Sequence, residues 1–260
     1  MVLSANRDPI IYEVAVCGSG PAGLFAAMEL AKKTNYPVLL LEQVKRLHDT
    51  RNVSNGWMGG SAKSDLRLFV DQGFGGTMND EWATETMLAY LESSCKSKIK
   101  PSKDKLSKKF TKHLSDQGVE VFEPTTYIVG SDKLTQIENA FQSILTSRIT
   151  IKSNSRVDNI VKEDRLFKIE VGSKSYFAKK CIVAMGRGGA NWLLNIAKDL
   201  NIDHVDDSFD LGVRLEFPHS LIKEISSKSS TFRMSFDDYR TTAISTKGIV
   251  EMENVDEFKT

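Results

Sequence analysis

Cysteine is scarce in this chain. The three present, Cys17, Cys95 and Cys181, are an odd number among 260 residues, lie far apart and form no Cys-x-x-Cys pair. That removes the motif of a dithiol relay. Cys17 and Cys181 fall in apolar runs and read as small buried thiols. The four histidines, His48, His113, His204 and His219, show no metal-ligand spacing, so no metal is expected. Net charge is also missing: 35 Lys and Arg against 34 Asp and Glu leave +1, which gives no global field to attract nucleic acid or an acidic membrane. No stretch approaches the length of a membrane span, and the first ten residues hold no apolar core of signal-peptide length. A soluble, cytoplasmic protein without a nucleic-acid or membrane partner is therefore expected. The lysine-rich stretch 96–112 holds one aromatic, Phe110, and no interleaved series of them for base stacking. With Leu106, Phe110 and Leu114 as an apolar stripe on a helix starting at Ser102, its lysines read as a solvated outer face.

What remains is ordinary globular composition, 40% hydrophobic and 27% charged, enough for one large domain or two modest ones. The most informative stretch is Val14-Ala-Val-Cys17-Gly18-Ser19-Gly20-Pro21-Ala22-Gly23. An apolar run breaks into glycines and then opens a helical pattern with Leu24, Ala27, Met28 and Ala31 on one face. Gly18 permits the tight turn, Gly20 lets a pyrophosphate approach the backbone, and Gly23 lets the helix sit close to the sheet. The helix N-terminus then presents unpaired N–H groups to the anion. Val38-Leu-Leu-Leu41 reads as a parallel strand covered on both faces. Glu42 closes it, where a carboxylate accepts hydrogen bonds from the hydroxyls of an adenosine ribose and repels a 2′-phosphate. The spacing predicts a dinucleotide without that phosphate.

Beyond Glu42 and Gln43 comes a glycine-rich loop with Arg51, Gly56, Gly59, Gly60 and Ser61, then Gly73-Phe-Gly-Gly76. So much glycine predicts close approach to a flat ligand. Asn79-Asp80 is expected to cap a helix running to about Cys95, and Ser131 one carrying Leu134, Ile137, Phe141, Ile144 and Leu145. Val119 to Phe122 is a short strand candidate. From Ile149 the period changes to two: strands at 149–152, 157–161, 166–171 and 176–178 read as one strand feeding an antiparallel meander. A separate apolar strand at 181–184 then ends in Met185-Gly186-Arg187-Gly188-Gly189, with a helix over 191–200 behind it.

This order of elements resembles the FAD-binding domain of the glutathione-reductase-like flavoproteins, in which Cys181-Ile-Val-Ala184-Met185-Gly186 is similar to the second flavin motif, with Met185 in place of the usual threonine. Gly56-Trp-Met-Gly-Gly60-Ser-Ala-Lys-Ser-Asp65, Gly130-Ser-Asp-Lys-Leu134 and Asp210-Leu-Gly-Val-Arg-Leu-Glu216 resemble marks of a poorly characterised family of FAD-dependent dehydrogenases. The resemblance implies an α/β fold: an FAD-type Rossmann parallel sheet with an antiparallel meander, a mainly helical insertion and the start of a substrate domain. The expected domains are 1–60 with 130–205, then 61–129, then 206–260. It implies FAD as cofactor, bound non-covalently. Gly18, Ser19, Gly20, Pro21, Ala22 and Gly23 would cradle the pyrophosphate through main-chain N–H groups. Glu42, followed by Gln43, would take the ribose, and Arg51 would carry phosphate charge. Val157 would present main chain to the adenine, and Ala184, Met185, Gly186, Gly59, Gly60 and Ser61 would approach the flavin. Asp65 and Arg214 read as structural ion-pair residues, and no general acid or base is assigned. Flavoproteins of this class carry a late Gly-Asp motif, which this sequence lacks. The expectation is therefore the front portion of an FAD-dependent oxidoreductase whose flavin site a C-terminal half or partner chain completes. The alternatives are a thiazole-synthase-like enzyme using an NAD-type dinucleotide, and a non-catalytic remnant.

Overall fold

A computed structural model describes residues 10–44, 56–63, 65–71, 81–102, 105–205, 211–213, 215, 218–223, 231–241, 244–245, 254–255 and 258–259. The chain forms two compact units, one built from 1–65, 131–206 and 252–260, the other from 66–130 and 207–251. In chain order the elements begin with β1 (Ile11–Cys17), α1 (Pro21–Lys33), β2 (Val38–Leu41), β3 (Arg67–Phe69), α2 (Glu81–Cys95) and α3 (Lys108–Ser115). There follow β4 (Glu120–Phe122), β5 (Thr126–Ile128), α4 (Leu134–Arg148), β6 (Thr150–Lys152), β7 (Asn159–Glu163), β8 (Leu166–Val171), β9 (Lys174–Val183), α5 (Ala190–Asp199), β10 (Thr231–Phe236), β11 (Tyr239–Arg240) and β12 (Ile244–Ser245).

The first unit is an α/β Rossmann-type sheet in the order β6-β2-β1-β9-β8-β7. β6, β2, β1 and β9 run parallel, and β9, β8 and β7 form the antiparallel meander. All four residues of β2 are buried, as a parallel strand covered on both faces requires. Helix α1 buries Gly23, Leu24, Ala27, Met28 and Ala31, and α4 buries Leu134, Ile137, Phe141 and Leu145; both stripes follow the helical period. The helices meet through Phe25 and Phe141, whose rings sit edge to face at 5.7 Å and 85°. On the meander side the core gathers Tyr12, Ala15, Cys17, Leu39, Leu41, Val157, Ile160, Ile169, Ala178 and Ile196. Phe141 is wholly buried, so Phe141→Ala should lower unfolding free energy by about 3–5 kcal/mol in urea titration; a loss below about 1 kcal/mol would contradict its place at the helix contact.

Three expectations are corrected. The strands at 176–178 and 181–184 are one: β9 runs unbroken through Lys179 and Lys180. These lysines look like a turn in the sequence, yet Lys179 Nζ reaches Glu13 Oε1 on the neighbouring strand β1 at 2.6 Å, with both side chains partly open to solvent. The helix expected from Ser102 starts at Lys108, with Ser107 Oγ as its cap, accepting from Phe110 N at 3.2 Å. Ser102 instead donates its N–H to Thr126 O at 2.7 Å. Lys108, Lys109 and Lys112 are exposed on that shorter helix. Ser131 opens a short 3-10 turn ahead of α4 instead of capping it. In the second unit the stretch read as mainly helical carries β3, β4 and β5 beside its two helices, and β4 pairs antiparallel with β10, joining the insertion to the later segment. The proposed cap at Asn79-Asp80 and the glycines at 73–76 lie outside the described residues. No helix among the described residues is long and apolar enough to cross a membrane.

Candidate dinucleotide site

The parallel strands β1, β2 and β9 all end at the same edge of the sheet, where the turn after β1 opens into α1. Open α/β sheets bind ligands outside the carboxyl ends of their strands. Gly18 has φ +107°, and a Cβ there would stand 2.3 Å from the carbonyl oxygen of Ala184. Only glycine accepts that conformation and that approach together. A Cβ at Gly23 would stand 1.9 Å from the Gly18 oxygen and 3.4 Å from the Ala184 methyl. Ala184 N–H in turn donates to Cys17 O at 2.8 Å. The first and third glycines and Ala184 are thus packed against one another, and the end of β9 forms the floor of the turn.

Gly20 differs. It sits at the N-cap of α1 in extended conformation, and a Cβ there would meet nothing within 4 Å. No side chain caps the helix, and its first turn holds no acidic residue. The helix N-terminus, with its partial positive charge, therefore faces open space at the one glycine of the motif whose missing side chain nothing among the described residues requires.

The structure divides the roles within Gly18–Gly23 more finely than the sequence did. Gly18 N–H donates to Leu41 O at 2.9 Å, Ser19 N–H donates to Glu42 Oε2 at 3.0 Å, and Pro21 has no N–H to give. Gly20, Ala22 and Gly23 remain as the N–H groups of the first turn available to an anion. Ser19 holds Glu42 with its side chain as well: its hydroxyl also donates to Oε2, at 2.5 Å. Val44 N–H donates to Oε1 at 3.0 Å. Glu42 is 4% exposed. Three donors occupy a group with roughly four acceptor positions, and the remaining capacity on Oε1 suits a ribose hydroxyl. Glu42→Gln replaces an oxygen with an NH2 facing donors only; it should lower unfolding free energy by about 1–3 kcal/mol, and an unchanged urea midpoint would show that these contacts do not hold the carboxylate.

Main-chain bonds from Glu42 N to Lys152 O (2.9 Å), from Ser155 N to Glu42 O (2.8 Å) and from Asn154 N to Val44 O (2.8 Å) clamp the segment after β6 beside the acid. Val157 follows two residues later, buried in the core ahead of β7. Gly186 has φ +66° with open space where its Cβ would be, and Met185 packs against the meander core and beneath Gly189. Gly59, Gly60 and Ser61 belong to a 3-10 turn spanning Gly59–Lys63. That turn is tied to the β1 turn by Met58 N–H, which donates to Ser19 O at 2.9 Å. Gln43 is exposed beside Glu42. Arg51 and Arg214 lie outside the described residues.

Sequence reasoning did not find three contributors: the Ser19 hydroxyl, the Val44 amide, and the 56–59 turn against Ser19. A small polar residue at the variable second position of the glycine motif was the only available signal. Nor did it pair Cys17 with Cys181, whose sulfurs lie 3.7 Å apart on neighbouring strands. The contact with Cys181, and then burial, hold the Cys17 thiol well above its ordinary range, so it stays protonated behind the turn.

Residues 13–100 match the model of the FAD binding domain family. An uncharacterised protein of Clostridium beijerinckii is 24% identical over 249 residues, 94% of this chain, and the chain spans 44% of that relative's length. Among solved structures, NikD, an unusual amino acid oxidase essential for nikkomycin biosynthesis, superposes with a TM-score of 0.48 at 16% identity, over 71% of this chain and 53% of that one. Glycine oxidase from Bacillus cereus gives 0.46 at 15% identity, over 74% and 60%. The cofactor that the family match assigns is FAD, and the uncapped helix, the open space at Gly20 and the acid held at the turn's mouth fit its adenosine diphosphate half.

Proposed function

We propose that this chain is the FAD-binding portion of an FAD-dependent oxidoreductase of dehydrogenase type that holds its flavin non-covalently. The observation that carries the reading is Glu42, a buried carboxylate fixed 3.0 Å from the Ser19 amide at the edge where the strands end. Bound FAD supplies the redox chemistry through its isoalloxazine. The protein's part is to bind and orient: the amides of Gly20, Ala22 and Gly23 take diphosphate oxygens, the α1 dipole favours their charge, and Glu42 accepts from the adenosine ribose. The segments at Ala184 to Gly186 and Gly59 to Ser61 line the approach toward the flavin end. An acid beside the ribose also favours FAD over any 2′-phosphorylated dinucleotide.

Purified protein should be yellow, and acid precipitation should release FAD into the supernatant. After flavin removal it should rebind FAD but not riboflavin, because riboflavin lacks the adenosine diphosphate that these residues hold. A folded, colourless protein that ignores added FAD defeats the proposal, and an NAD-type dinucleotide in the released fraction would favour the thiazole-synthase-like alternative.

A further inference from the structure

We propose that the indole N–H of Trp57 donates a hydrogen bond to the diphosphate of FAD; the inference rests on the FAD reading above. Of the chain's three tryptophans, Trp192 donates Nε1 to Asp158 O at 2.8 Å, and Trp82 is 58% exposed. Trp57 is 2% exposed, and its Nε1 has no hydrogen-bond partner among the described residues. An indole N–H can only donate, and a donor buried with nothing to bond is costly enough that native interiors rarely keep one.

The backbone ties the residue that carries this donor to the phosphate turn. Gly56 and Gly59 close a tight turn through Gly59 N–H to Gly56 O at 2.9 Å, with Trp57 and Met58 as its two central residues. Met58, at the position that ordinarily calls for glycine, has φ +67° and is 1% exposed. Backbone strain of that kind persists where surrounding structure fixes it and concentrates at ligand sites. Here Met58 N–H is fixed to the carbonyl of Ser19, in the middle of the glycine motif. Trp57 is thus one residue from an atom of the phosphate turn. A strained residue and an unpaired buried donor, side by side and fastened to that turn, are accounted for together by an anionic acceptor arriving there. The diphosphate is such an acceptor, and hydrogen bonds to charged oxygens are the stronger kind.

The test uses the 260-residue chain, 15N-labelled, freed of flavin and then titrated. Three indole N–H signals are expected, the Trp57 signal being the one lost in Trp57→Phe. FAD should move that signal downfield. ADP should reproduce the change, and riboflavin should not. Trp57→Phe should weaken FAD binding about 10-fold, a loss that the smaller ring's lost packing, read separately from the melting temperature of the flavin-free protein, does not account for because the fold is retained. FAD binding with the Trp57 signal unmoved, or a shift produced by riboflavin and not ADP, overturns this inference alone. No FAD binding at all removes the functional reading, and this inference with it.

Discussion

Gly23→Ala should cost on the order of 3 kcal/mol or more of folding stability, at or beyond the upper end of ordinary overpacking. The new methyl would stand 1.9 Å from the Gly18 carbonyl oxygen and 3.0 Å from its carbon, both main-chain atoms of the turn, so no side chain can swing aside. Relief requires α1 to lift from the sheet, which would pull Leu24, Ala27 and Met28 from positions where each is at most 1% exposed. Small domains are stable by only about 5–15 kcal/mol, so much of the protein's margin would go. Gly188→Ala is the control: its Cβ would meet nothing within 4 Å, and its effect should stay within about 0.5 kcal/mol. Urea midpoints of the two flavin-free variants decide the matter. If Gly23→Ala shifts no further than Gly188→Ala, the close packing of helix on turn is not a constraint.

Gly20→Ala should do the reverse, leaving the fold and removing the ligand. Gly20 has φ −67° and ψ 178°, a conformation open to any residue, and its Cβ would project into free space. Alanine is a poorer N-cap than glycine, a cost of about 1 kcal/mol or less. A diphosphate bound to the amides of Gly20, Ala22 and Gly23, however, would be pushed outward by the methyl. Losing one or two hydrogen bonds to charged oxygens, each worth about 1.5–3 kcal/mol, should weaken FAD about 100-fold. Fluorescence titration of the flavin-free protein, with a melting curve alongside, reads both halves of the expectation. Wild-type FAD affinity in Gly20→Ala would mean that the diphosphate does not approach the backbone there.

Much of this site was legible because its chemistry is local. From Val14 to Gly23, strand, turn and helix follow one another without interruption, and the acid at 42 closes the next strand, so the spacing alone carried the geometry of the turn and its partner. The meander was legible for the same reason, as alternation between short turns. What escaped is long-range or contradicts local preference. The β9 strand hid behind Lys179-Lys180, because a charged pair looks like a turn unless the partner Glu13, 166 residues away, is known. The Cys17 and Cys181 thiols meet only because β1 and β9 are neighbours. The strand Thr231–Phe236 acquires its partner from residues 120–122, a pairing that no local pattern announces. Met58 holds a conformation its residue type disfavours, and sequence propensity points away from such positions.

The floor beneath Gly18 comes from Ala184, at the far end of β9, the strand that closes the meander and pairs with β1. During synthesis the glycine motif is translated some 160 residues before the alanine it rests on. Through that interval the opening strand and helix can form their local contacts, but the loop-closure cost of bringing residue 184 back to residue 18 is still outstanding. On that cost alone, the close packing of Gly18 on Ala184 is expected to form after the local strand-turn-helix contacts, once β9 has docked on β1.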